Sequence, residues 1–491
     1  MSEQQNSHLL SRREMLKLAG AAGVGLLATA CGQAAPAEPQ VVEKVVTVEV
    51  EKLVEVEKVV PAPQMEAVTV SGALWILQKK DFFPAYNDYF REEIIAFARE
   101  KDWPYDISYI AGFTGGTPEV QKIAASVEAG NPPDLIMHTL SAVQLRNLYA
   151  LDPVNDVVQE IEELWGKATP RMYTDYFFEN QWWAVPFHQR SDGGWYRTDI
   201  WDSSGIDIQS LRTYPELLEG CLAVSRPEEE IYGWGVTINR SSDANYFINR
   251  VKTGWGASWQ DETGQYITCN SPEMIEAISW LVDIYTNPKW EPALPPGVLS
   301  WTDSTNNEAY LGGRLAYTQN GGTVYAKAIL DGNPVAELTG FHPPAGGPAL
   351  PEFNYLSANN WMLLRGAKNP AAAKEVIRHF MLSPEKMDEV FAAAPAFAVP
   401  CFVDLWEKSA YIKTNEVAMQ QKSSSLDSSG IDPLVYPGPP SPAMVAIDSS
   451  GIWNDMINAA LDGTPVPEAV KTAHERMVKV FHEFGLPGER V

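Results

Sequence analysis

Polar and aromatic side chains cluster at the ends of apolar runs in the first third of the chain. Trp75 and Gln78 close the run that begins at Val68, Thr114 follows the run ending at Ile110, and His138 and Thr139 follow Leu135-Ile136-Met137. A ring, an amide, a hydroxyl and an imidazole suit non-covalent recognition better than covalent chemistry. The ring stacks on flat C–H surface and the others exchange hydrogen bonds. Inside a closed site, a ligand without matching groups leaves them buried and unpaired. The neighbouring Lys79 and Asp81 either pair with each other or bind hydroxyls. No P-loop or Gly-x-Ser-x-Gly sequence is present. The chain carries 16 Trp, 19 Tyr and 17 Phe. Most such rings are core, but sugars present flat C–H faces that stack on them, and the excess favours a carbohydrate ligand.

The elements that must position these groups follow an α/β rhythm. Val68–Leu77 reads as a strand, Tyr89–Lys101 as a helix, Tyr105–Ile110 as a strand, Glu119–Ala129 as a helix and Pro133–His138 as a third strand. Such alternation predicts a doubly wound sheet, in which ligands bind beyond the carboxyl ends of strands. Further on, Trp183, Val185 and Phe187 alternate along a strand. Gly193-Gly194 interrupts it, Trp195-Tyr196 starts another, and Asp199–Gly205 reads as a turn. A strand that enters the site and hands the chain to a second region is a natural hinge, and it brings His188 into the candidate set. Gly254–Trp259 is an aromatic, Gly-rich loop that adds Trp255. Trp361 lies at the far end of a polar loop, in an apolar run. Helices are expected over Tyr214–Ser225, from Ala244, over Ala443–Leu461 and over 466–484.

Six ordered segments resemble the family 1 extracellular solute-binding proteins, the sugar-binding group of ABC importers. They are Ala129–Ile136, Leu148–Val154, Asn270-Ser271-Pro272-Glu273, Asn307–Tyr317, Phe341–Gly347 and Asn369–Glu375, and Trp183-Ala184-Val185-Pro186 resembles the family's lobe-crossing strand. The resemblance covers nearly all of 68–484. It implies an α/β, two-lobe periplasmic-binding-protein fold (type II-like), with discontinuous lobes joined by hinge strands. Lobe 1 would be 67–185 with 341–395, and lobe 2 would be 186–340 with 396–491. By the same resemblance Asn245, Tyr246 and Asn320 join the ligand-binding set. The implied function is capture of a sugar or oligosaccharide by hinge closure, without catalysis, and delivery to an ABC permease.

The N-terminus supplies an address. Ser11-Arg12-Arg13-Glu14-Met15-Leu16-Lys17 is a twin-arginine signature, and Leu18–Ala30 is an apolar stretch shorter than the roughly 20 residues that span a bilayer. Leu27-Ala28-Thr29-Ala30-Cys31 resembles a lipobox, which makes 1–30 a signal peptide and Cys31 a lipidation site. The Val-Glu-Lys repeats of 31–66 read as a spacer, since Val is a poor helix former. The protein is thus expected to be exported and held by lipid at the outer face of the cytoplasmic membrane. A net charge of −26 argues against nucleic acid. Cys221, Cys269 and Cys401 lack metal-ligand spacing, and no cofactor or metal is expected. One disulfide among them stays open. Two alternatives remain: a binding protein for a peptide, polyamine or anion, and an exported glycoside hydrolase with a carboxylate pair. If His188 and Trp255 face a ligand, truncating either to Ala weakens binding with little change in Tm.

Overall fold

The computed structural model describes residues 68–111, 117–191, 193–354, 356–426 and 431–490. The leader, Cys31, the spacer and Thr114 lie outside the described residues. Eleven strands are named among these residues: β1 Leu74–Lys80, β2 Tyr105–Ala111, β3 Leu135–His138, β4 Phe177–Phe178, β5 Gln181–Trp182, β6 Val185–Ser191, β7 Gly194–Arg197, β8 Tyr317–Gln319, β9 Thr339–His342, β10 Leu356–Leu363 and β11 Val399–Pro400. They form a six-stranded sheet in the order β11-β6-β10-β3-β1-β2, a three-stranded sheet β8-β7-β9 and the small pair β4-β5.

In the large sheet, β1 runs parallel to β2 and β3. The helices Pro84–Glu100 and Thr117–Glu128 make the crossovers between them, as parallel strands require. β10 returns antiparallel between β3 and β6. Leu74 and Ile76 of β1 and Leu135 to Met137 of β3 are fully buried. Together with Phe90 and Ile94 on the helix between β1 and β2, they join one apolar core. A second core gathers the helices Tyr214–Val224, Ser242–Gly254, Pro272–Thr286 and Val466–Glu483. Their ends carry ordinary stop and start signals. Thr213 and Glu216 form a capping box, and Ser241 and Ser271 cap the next two helices ahead of Ala244 and Met274.

The chain passes from the large sheet to the small one between Ser191 and Gly194. The two glycines there permit close approach. A Cβ on Gly193 would meet the carbonyl oxygen of His342 at 2.5 Å, and one on Gly194 would meet the Tyr317 ring at 2.2 Å. The return runs from His342 to Leu356. The boundary expected at 185/186 therefore falls inside β6, since Pro186 to Ser191 pair with β10. Residues 396–418 also belong with the large sheet, because β11 pairs with β6 and Phe397 to Ala418 pack into the first core.

Other boundaries shift for local reasons. β1 starts at Leu74 because Gly72 turns the chain at φ 74°. Thr198–Ser204 is a helix rather than a turn, with Gly205 closing it in the left-handed conformation. The expected helix over Ala443–Leu461 is two, Pro442–Ser450 and Ile452–Leu461, broken at Gly451 with φ 69°. Cys221, Cys269 and Cys401 are buried and unpaired with one another.

Candidate functional site

A cavity of about 840 Å³ lies between elements of the two cores. Asp81, His138, Thr139, Arg171, Asp175, Arg190 and Ser357 line it from elements around the large sheet. Asp243, Tyr246, Asp303, Gln319, Asn320 and the segment 432–440 line it from the other side. On the first side Asp81 follows β1, His138 ends β3 with Thr139 after it, and Arg190 and Ser357 lie on β6 and β10, as the strand-end arrangement of a doubly wound sheet predicts, while Arg171 and Asp175 come from the helix Pro170–Tyr176.

Of the sequence-predicted residues, the structure brings Asp81, His138, Thr139, Tyr246 and Asn320 together on this cavity. Asp81 is buried and forms an ion pair with Lys79 at 2.9 Å. Burial raises its pKa, but Lys79 and Arg190 outweigh that and hold the carboxyl below its ordinary range. His138 accepts the Thr139 N–H at Nδ1, 2.8 Å away. Asn320 works mainly as a junction. Its Nδ2 donates to Asn307 Oδ1 at 2.8 Å and to Asp243 Oδ2 at 3.1 Å, while its Oδ1 accepts the Thr323 N–H.

The remaining candidates lie outside the cavity lining. Trp75 is half-buried on β1, and its backbone N–H donates to Asp134. Gln78 is fully buried, with its side chain donating to the Asn87 carbonyl. Asn245 accepts from Trp453 Nε1 and Asn454 Nδ2, tying two helices together. Trp255 packs against Trp280 in the second core, with ring centroids 4.7 Å apart. Trp361 packs between Phe187 and Phe380 under β10. His188 is 1 % exposed and receives a hydrogen bond from Asn359 Nδ2 at 2.9 Å, beside the Tyr86 hydroxyl. Alternation along a strand turns Gln78, His188 and Trp361 inward, Trp255 packs into the core directly after its helix, and Trp75 and Asn245 stay half-buried.

The expectation for His188 thus reverses. His188→Ala strands Asn359 and Tyr86 in the core, and leaving buried partners unmet costs about 1–3 kcal/mol each. Chemical denaturation should show that loss, and an unchanged midpoint would return His188 to the site. Burial also pushes the imidazole pKa down to about 3 from 6.5. Between those values the unfolded chain takes up a proton that the folded chain refuses. Stability should therefore fall as pH drops through that window, and less steeply in the variant.

Several lining residues carried no signal in the sequence. Arg171 contacts Asp175 at 2.9 Å and Asp432 at 3.0 Å, joining a helix of the first core to the 432–440 segment. Lys252 anchors that segment by donating to the Pro433 carbonyl at 2.6 Å, and Gln260 holds the carbonyls of Val435 and Pro439. Burial pushes the Lys252 pKa down to about 7, with Asp432 opposing. Gln319 is 3 % exposed, and its Nε2 has no acceptor among the described residues. The run Tyr436-Pro437-Gly438-Pro439-Pro440 stands out as a turn, yet its place over a cleft depends on contacts far away in the chain. Among the described residues, no group of three or more His, Cys, Asp or Glu is placed to hold a metal ion.

Two α/β lobes with a large cavity between them define the periplasmic-binding class of fold. Solved structures share it. Maltose-bound T. maritima MalE3 aligns at a TM-score of 0.65 with 17 % identity, over 84 % of this chain and 99 % of that one. A solute-binding protein from Agrobacterium vitis with bound D-mannitol aligns at 0.67 with 18 % identity, over 85 % and 100 %. The chain belongs to the bacterial extracellular solute-binding protein family, whose profile matches residues 51–388. An arabinooligosaccharide-binding protein of Halalkalibacterium halodurans is 24 % identical over 140 residues, which span 28 % of this chain and 29 % of that relative.

Proposed function

We propose that this protein is the substrate-binding subunit of an ABC importer and that it captures a saccharide between its lobes. The cavity carries the proposal. At about 840 Å³ it sits within the roughly 300–1,000 Å³ of small-molecule sites. Its lining of carboxylates, amides, hydroxyls and tyrosines suits ligand hydroxyls. The lobes are read as 68–191 with 356–426, and 193–342 with 431–490. They close about the crossings near Ser191–Gly194 and His342–Leu356. Closure is a population shift driven by contacts to both lobes. Export, lipid on Cys31 and the spacer would hold the body at the membrane beside its permease. The family and the saccharide-bound structural neighbours support this reading.

The test is a thermal-shift screen of the purified protein against mono- and oligosaccharides, with amino acids, polyamines and phosphate esters as controls. A bound ligand raises Tm by mass action, by about 2.7 kcal/mol of stability at a hundredfold excess over Kd. A saturable shift with one saccharide class, and no product by chromatography, is expected. Shifts only with the controls would remove the carbohydrate. The carboxylates gathered in the cleft are the one observation that favours a glycoside hydrolase, and turnover of the bound saccharide would establish it.

A further inference from the structure

The charges of the cavity are out of balance. Six aspartates and three cations line it: Asp81, Asp175, Asp243, Asp303, Asp432 and Asp448 against Lys79, Arg171 and Arg190. Lys79 and Arg190 flank Asp81. Arg171 is shared by Asp175 and Asp432. Asp303 is met by the backbone N–H groups of Ser242 and Asp243, and Asp243 accepts from Asn306 and Asn320. That leaves Asp448, on the helix Pro442–Ser450, close enough to Asp432 to feel its charge and with no ion pair or side-chain hydrogen bond among the described residues. At this end of the cavity Asp175 and Asp432 therefore share Arg171, Asp432 also feels the buried Lys252, and Asp448 has no cation paired with it among the described residues. Desolvation pushes the carboxyls of Asp175 and Asp448 up to about 6; Arg171 opposes the rise at Asp175, and Asp432 adds to it at both.

A second feature of the same cavity also points to a ligand. Gln319 is almost fully buried, and its Nε2 donor has no acceptor among the described residues. It suits a hydroxyl or ring oxygen, whereas the Asp432–Asp448 end suits a cation. Both demands are met by one molecule. Resting on the saccharide reading above, we infer that the ligand is a saccharide bearing a basic amine, with its ammonium group seated against Asp448 and Asp432. A neutral sugar would leave the uncompensated charge in place, and an anionic one would add to it. An ammonium desolvated against two carboxylates gains charge-assisted hydrogen bonds instead.

The experiment measures Kd at pH 7.5 by calorimetry for glucosamine and galactosamine oligosaccharides, each beside its N-acetylated and its neutral counterpart, with spermidine as a non-sugar amine. The free amine should bind about ten- to a hundredfold tighter than its acetylated form, the scale of a hydrogen bond to a charged group. Asp448→Asn should narrow that gap to a few-fold, and its ligand-free Tm shows whether the fold survives. If it does not, the acetylation comparison on the unmodified protein still decides. Equal binding of neutral and amine saccharides would overturn the inference and keep the saccharide reading. Spermidine binding alone, or no binding by any saccharide, would overturn both.

Discussion

Asp81→Ala is expected to cost about 3–5 kcal/mol of stability, the usual result of removing one partner from a buried ion pair. Both members are nearly inaccessible, with Lys79 at 3 % and Asp81 at 4 % exposed. The substitution takes the carboxylate from between Lys79 and Arg190. It also removes the acceptor for the Phe82 N–H at 2.8 Å, which shapes the loop entering the cleft. Urea denaturation measures the loss. Adding Lys79→Met to Asp81→Ala should recover a large part of it, since the cost lies in the stranded charge. A loss under about 1 kcal/mol, typical of exposed pairs, would mean that water reaches the pair.

The pH dependence has a definite sign. The folded pKa of Asp81 lies below its ordinary 3.8. The stabilisation is therefore complete above about pH 3.8 and is lost as pH falls through the lower folded value. Asp81→Asn should flatten stability in that acidic range and, because the Asp81 charge holds the His188 pKa up against burial, extend the His188 window to lower pH.

The same pair shows how far local sequence carries. Lys79 and Asp81 stand two residues apart after an apolar strand, so their pairing and their place at a strand end were both readable. So were the strand-end places of His138 and Thr139, for the same reason, and the second and third strands to within two residues, while the first begins six residues later than expected. The Thr198–Ser204 helix was misread as a turn, although Asp199 in its first turn and Gly205 after its end are helix signals. Asp432 and Asp448 were not readable as site residues. Nothing around them differs from a solvated loop and a solvated helix face. Asp432 is held at the cavity by Arg171, 261 residues away in the chain, and Asp448 comes within reach of Asp432 only through the fold. The aromatic residues misled in the opposite direction. Stacking on a ligand and packing in a core call for the same side chain, and only the direction of the Cβ separates them.

Trp361 is the sharpest instance, and Trp361→Ala is expected to cost about 3–5 kcal/mol, as for other fully buried aromatics. The residue is wholly inaccessible. It pairs with Met137 of β3 on one side and Val185 of β6 on the other, so the cavity would open at the middle of the sheet. Its ring lies 5.1 Å from Phe187 and stacks at 5.8 Å on Phe380. Trp361→Phe keeps most of those contacts, and its Nε1 has no partner to lose among the described residues. The Phe variant should therefore lose much less. A ligand-facing tryptophan would behave the other way round, with affinity lost in both variants and the denaturation midpoint held. Measuring the midpoint and the saccharide Kd together separates the two cases. The β10 strand that carries Trp361 inward also turns Ser357 and Ala358 to the cleft, so a collapsed Trp361 site should weaken binding only by way of that strand, in proportion to the stability lost.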